Sequence, residues 1–207
     1  SNQASLTLQN AWMFDQIEKG YIQVALALAQ AMDERDMMVS NSSIRIATWA
    51  EQAADKLGLP EEEIRDLHWA ALLHDIGKVA VPENVLHKSG KLAKEDWAYI
   101  HQHPVKGEEI VQPVTRFRSV GRIIRNMREH FDGSGYPDRL KGTEIPMTSR
   151  ILSVADAYES MLSDRPYQKA RTTEEALLEL EKGSGRQFDP FVVQTFVDTI
   201  QNKKKAN

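Results

Sequence analysis

The sequence sets an imidazole and a carboxylate side by side at the end of an apolar run, in Ala70-Ala71-Leu72-Leu73-His74-Asp75-Ile76-Gly77-Lys78. Both side chains offer lone pairs to a divalent cation. Consecutive helical residues point about 100° apart, so the pair can reach one ion only near a helix end or a distortion. The Gly77-Lys78 exit is the sign of such an end. The chain has six histidines and no cysteine. That composition excludes a disulfide framework, a thiolate nucleophile and a thiolate zinc site, so any metal must sit on imidazole nitrogen and carboxylate oxygen.

The elements that must position these groups read as helices. The chain has 207 residues, 41% of them hydrophobic and 27% charged, with a formal net charge of −4. That describes one ordinary domain, or one domain with a helical extension. Its mild acidity gives no electrostatic footprint for a duplex DNA binder. No run reaches the roughly 18 to 20 apolar residues of a membrane span. The start, Ser1-Asn2, is not that of a signal peptide, and the expectation is a cytoplasmic fragment of a longer protein that carries an upstream sensor or receiver domain.

Ile17, Tyr21, Val24, Leu28 and Ala31 follow the seam of an amphipathic helix, which either pairs with an upstream element or a second copy, or packs on the domain's own core. Helical patterns then run from Ile44 to Leu57, from Glu61 to His74, from Glu95, and through Val120, Ile123, Ile124 and Met127. Later ones span Thr148 to Leu162, Thr173 to Glu181, and Pro190 to Ile200. The long turn-rich stretch is Asp132 to Pro146. Lys203 to Lys205 read as a solvated end. The predicted architecture is an all-α helical bundle, with residues 1–33 an N-terminal helix or linker, 34–201 the domain and 202–207 a tail.

With these residues in view, the sequence resembles the HD phosphohydrolase superfamily. Asp132-Gly133-Ser134-Gly135-Tyr136-Pro137 narrows the resemblance to its HD-GYP subgroup. Further matching pieces follow in order: His103-Pro104 with Gly107, Ile145-Pro146, Ala155-Asp156, Arg165-Pro166-Tyr167, and Gly185 with Phe188-Asp189-Pro190. The likeness covers Asp33 to Ile200. It implies a bacterial signalling domain whose relatives hydrolyse cyclic di-GMP to pGpG or GMP, with two or three iron or manganese ions inside a helical bundle. In such centres a metal-bound hydroxide attacks the phosphodiester while a second cation, typically about 3.5–4 Å away, neutralises developing charge.

Carried over residue by residue, the resemblance assigns metal ligation to His74, Asp75, His103 and Asp156, with Asp75 bridging and catalytic. It also makes Lys78 catalytic beside Asp75, and places Lys78 and Arg165 towards the substrate's phosphates. Half of the family's ligand positions do not match. Aligned on Asp36 and Arg45, a glutamate falls on Met38 and a histidine on Ser42; aligned on Glu129 and Asp132, an adjacent histidine pair falls on Met127 and Arg128. A thioether is a poor partner for Mn(II) or Fe, a serine hydroxyl is a weak one, and a guanidinium has no lone pair to give. The expectation is at most one iron or manganese ion, a domain impaired in catalysis, and a role in binding or regulation. The alternative is a working phosphodiesterase on a reduced site.

Two readings stand for Arg128. It replaces a missing cation by pairing with an aspartate or a ligand phosphate, or it points to solvent. His68, His87, His101 and His130 read as surface or packing residues, with His101 turned about 160° from His103 on a helix. Gly135, Tyr136 and Pro137 form a loop that the resemblance associates with partner proteins, including diguanylate cyclase domains, or that simply covers the site.

Overall fold

A computed structural model describes residues 41–88, 90–164 and 169–206, together with 9, 12, 13, 16, 17, 20, 23, 24, 27–32, 34 and 35. Met38 and Arg165 lie outside the described residues, as do Asp36, Tyr21 and 166–168. Eight α-helices with residue bounds follow one another, joined by turns of 3-10 helix and with no strand among the described residues. The predicted all-α architecture is what the chain adopts.

Helix α1 (Ser42–Lys56) lays Ile46, Ala47, Ala50, Ala53 and Ala54 on one buried face. Its alanines let the backbone of α2 (Glu61–Leu73) approach closely. Gly58, at φ 72°, stops α1, and the Leu57, Gly58 and Leu59 amides satisfy its last carbonyls. Three glutamates follow Pro60 at the head of α2, where the helix dipole favours negative charge. Beyond α2, a 3-10 turn (Ile76–Ala80) leads to the short α3 (Glu83–Leu86) and the long α4 (Lys94–Val111). The turn sits hard against α4. A Cβ on Gly77 would lie 1.9 Å from the His103 carbonyl oxygen, so only glycine fits.

Helices α5 (Arg118–Asn126) and α6 (Met147–Leu162) flank the loop predicted over 132–146, which contains a 3-10 turn at Gly142–Glu144. Glu129 is buried and fixes this loop: its carboxylate accepts from the amides of Asp138, Arg139 and Leu140 at 2.6, 3.1 and 3.1 Å. Gly135 runs so close to the loop's entry that a Cβ would meet the His130 amide nitrogen at 2.2 Å. Helices α7 (Thr173–Gly183) and α8 (Pro190–Ala206) close the bundle. Tyr158 and Phe196 meet edge-on at 5.2 Å in the core, with Leu67, Ile124 and Leu152 fully buried around them.

One expectation changes. Helix α8 runs on to Ala206 rather than ending at Ile200, because Gln201 to Ala206 holds no glycine or proline and its lysines suit a helix C-terminus. Near the N-terminus, Ala29 and Met32 pack on the body while Ile17, Val24 and Leu28 are 50%, 60% and 45% exposed. Ala31 is exposed too. The first helix therefore reaches the core at its end, through Met32, while its described seam positions stay exposed.

Candidate functional site

The two histidines are set by the same local device. Pro104 has no N–H to give the Ile100 carbonyl four residues back, and the His103 Nδ1–H donates to that oxygen instead, at 2.6 Å. His74 follows the last turn of α2, where carbonyls lack helical partners, and its Nδ1–H donates to the Ala71 carbonyl at 2.7 Å. A carbonyl can only accept, so Nδ1 holds a proton in both rings and Nε2 is left to face the site. Both Nε2 atoms are buried without a hydrogen-bond partner, as are Asp75 Oδ1 and Arg128 Nε.

Opposite them stands Arg128, just past the end of α5. Its Nη1 donates to Asp156 Oδ2 at 2.7 Å, and its Nη2 lies 3.8 Å from Asp75 Oδ1. The guanidinium thus lies within reach of both buried carboxylates, and the solvent-facing reading is overturned. Lys78 donates to Asp75 Oδ2 at 2.8 Å from the adjoining 3-10 turn. His74 Nε2 lies 3.2 Å from Asp75 and 3.7 Å from Asp156. His74, Asp75, Lys78, Arg128 and Asp156 therefore form one cluster. His103 is electrostatically coupled to Arg128, Asp75 and Lys78.

The charges follow from this geometry. Burial alone would raise Asp75, yet the adjoining His74, Lys78 and Arg128 hold it well below the ordinary carboxylate range. Asp156 is lowered as well, its burial outweighed by Arg128 and then His74. For His74, burial acts downward, but Asp75 and Asp156 prevail and raise it. Burial and then the Arg128 charge push His103 down to about 4, so its imidazole is neutral near pH 7. Arg128 stays charged, because the two aspartates outweigh its burial.

Met127 is fully buried and offers only a thioether, Ser42 is fully buried and offers a hydroxyl, and Arg128 brings a cation where an ion's charge would stand. Among the described residues no three His, Asp or Glu side chains are grouped to hold an ion. The donor set does not fit two metals.

The cluster opens into a cleft of about 830 Å³ whose walls include Arg128, Tyr136, Asp156, Met161, Lys182, Arg186 and Phe188. Sequence reasoning missed several of its neighbours. Arg35 donates to the Lys78 and Val81 carbonyls at 2.6 and 2.8 Å, gripping the turn that carries Lys78. His101 stacks on Tyr136, ring centroids 4.3 Å apart, and meets Trp97 at 5.5 Å. The four-residue spacing of Trp97 and His101 was the available signal. His68 pairs with Glu51, His130 contacts Ser134 and His87 is exposed, in line with the packing and surface roles expected of them.

An all-helical bundle that gathers a His-Asp pair and a late aspartate into one buried cluster, with a downstream histidine close enough to feel its charges, defines a class, that of the HD phosphohydrolases. The HD domain family profile matches residues 26–192, and the chain belongs to that family; its glycine-tyrosine-proline loop places it with the HD-GYP members. It is 39% identical over 199 residues to the cyclic di-GMP phosphodiesterase response regulator RpfG of Xanthomonas campestris pv. campestris (strain 8004), covering 94% of this chain and 53% of that protein. It is 33% identical to 3'3'-cGAMP-specific phosphodiesterase 2 of Vibrio cholerae, covering 93% of this chain and 37% of that protein. The chain thus spans about half the length of these relatives, or less. Its fold matches the crystal structure of the V. cholerae cyclic GMP-AMP phosphodiesterase V-cGAP3 with a TM-score of 0.71 at 23% identity, over 87% of this chain and 49% of that one. No described helix is long and apolar enough to cross a membrane.

Proposed function

We propose that this domain binds a cyclic purine dinucleotide at the cleft and acts as a signalling or interaction module with impaired hydrolysis. The observation that carries this reading is the Arg128 guanidinium, hydrogen-bonded to Asp156 and within 3.8 Å of Asp75. A fixed cation there compensates buried carboxylates that otherwise require metal, and with Lys78 it presents positive charge to a phosphodiester. The cleft volume accommodates a ligand of that size. The relatives' names, phosphodiesterases of cyclic di-GMP and of cGAMP, support the ligand class. Arg165, Tyr136 and Pro137 belong to the same proposal, as ligand and loop contacts.

A second reading, a phosphodiesterase on a reduced iron or manganese site, is favoured by the orphaned Nε2 atoms of His74 and His103 and the free Asp75 Oδ1. One experiment separates the two. The purified chain is incubated with cyclic di-GMP and Mn(II) or Fe(II), products are followed as pGpG and GMP, and binding is measured by calorimetry without metal. Saturable binding with negligible product is expected. Turnover near one per second, within the usual enzymatic range of roughly 1–1000 per second, or two ions per chain by elemental analysis, overturns the impaired reading.

A further inference from the structure

Residues four apart on a helix lie one above the other. On α4 this brings the Trp97 and His101 rings to 5.5 Å between centroids, tilted by 47°. His101 in turn meets Tyr136, from the 132–137 loop, at 4.3 Å and 33°. Three rings therefore follow one another from the wall of the cleft, which Tyr136 shares with Arg128 and Asp156, out to Trp97, which remains 45% exposed. Glu129 separately holds the residues that follow the loop, 138 to 140, through three amide hydrogens. The inner end of the ladder adjoins fixed positive charge, and its outer end is an open indole. Those are the two chemistries a nucleotide presents in reverse, an anionic phosphate and a flat π face.

We infer that Trp97, His101 and Tyr136 form a stacking platform, and that a purine base of the phosphate ligand extends it on the open face of Trp97. The inference rests on the proposed binding of a cyclic dinucleotide. That ligand has two bases, and Trp97 and His101 lie outside the lining of the cleft, so the platform takes a base that projects from it. His101 sits between the rings of Trp97 and Tyr136. The platform reads base surface, so it discriminates nucleotides from simple phosphates and tolerates either purine.

The test uses the full chain without added metal and cyclic di-GMP as the probe, with pyrophosphate as the control ligand and Trp97→Leu and Trp97→Phe as variants. Wild-type tryptophan emission is expected to change on adding cyclic di-GMP, and Trp97→Leu to bind it about 5- to 150-fold more weakly, the range that loss of one base-aromatic stack produces. Trp97→Phe keeps a ring and is expected to stay within about threefold of wild type. Pyrophosphate affinity is expected to be equal in all three proteins. If Trp97→Leu binds cyclic di-GMP as tightly as wild type, the platform is wrong while the binding reading survives. If Trp97→Leu loses both ligands together with thermal stability, Trp97 is structural and the platform is likewise wrong. If wild type binds no cyclic di-GMP, both readings fall.

Discussion

Arg128 shows how one side chain decides the electrostatics of a buried site. Asp75 and Asp156 are both almost wholly removed from water, and both are lowered only because positive groups surround them. Arg128→Ala is expected to destabilise the fold by about 2–3 kcal/mol, less than a fully buried pair because 29% of the side chain is exposed. Chemical denaturation measures this. Arg128→Lys is expected to recover less than half of the loss, since a point charge cannot span two carboxylates. At a second residue, Asp138 accepts from Arg125 Nε and Nη2 at 2.6 and 2.7 Å, which lowers its carboxyl below the ordinary value. Its contribution is therefore present above the unfolded carboxyl pKa of about 3.9 and lost as pH falls through the lower folded value. Asp138→Asn is expected to cost about 0.5–1 kcal/mol at pH 7, a surface-pair magnitude. Melting curves of variant and wild type should converge as pH falls through that lower folded value; a constant gap at all pH values would show that the pair carries no such linkage.

At the scale of the element, α4 gains a site residue by giving up a backbone hydrogen bond. Pro104 leaves the Ile100 carbonyl unpaired, and that vacancy fixes the His103 ring. Pro104→Ala restores the missing donor, so two N–H groups compete for one oxygen. The fold is expected to keep or gain stability, while the His103 ring nitrogens, followed by ¹⁵N NMR, shift from a single Nδ1–H form to a mixture. An unchanged ring signature would show that packing, not the proline, holds the tautomer. Helices were legible in the sequence because their apolar spacing is local, and α1, α2, α6 and α7 fall close to where the pattern puts them. What a helix face meets was not legible. Periodicity turns His101 away from His103 correctly, but cannot say that Tyr136 arrives on that side from 35 residues further along. Arg35 and Glu129 were missed for the same reason, since their partners are backbone groups brought in by tertiary packing.

For the molecule as a whole, fold and metal chemistry separate cleanly. The core of Leu67, Ile124, Leu152, Tyr158 and Phe196 is apolar and packs without any metal ligand, and Met127, at one of the ligand positions, is itself part of that core. Four positions that resemblance assigns to ligands were readable directly as Met38, Ser42, Met127 and Arg128, and the last of them pairs with Asp156. Replacing Met38→Glu, Ser42→His, Met127→His and Arg128→His together is expected to raise bound iron or manganese from at most one ion to two per chain by elemental analysis. Failure to gain any metal would show that those positions are not the missing ligands. The net charge of −4 also matters at this scale, because an anionic ligand must be drawn by the local cations Arg128 and Lys78 against the molecule's overall field.

The three amides that converge on Glu129 have a consequence in time as well as in space. Asp138, Arg139 and Leu140 share one acceptor group, so none can expose its hydrogen for long without the carboxylate letting go of the others. Native-state hydrogen exchange should therefore find these three consecutive amides opening as one unit, with a common free energy. Glu129→Ala should release all three together to the rapid exchange of an open loop.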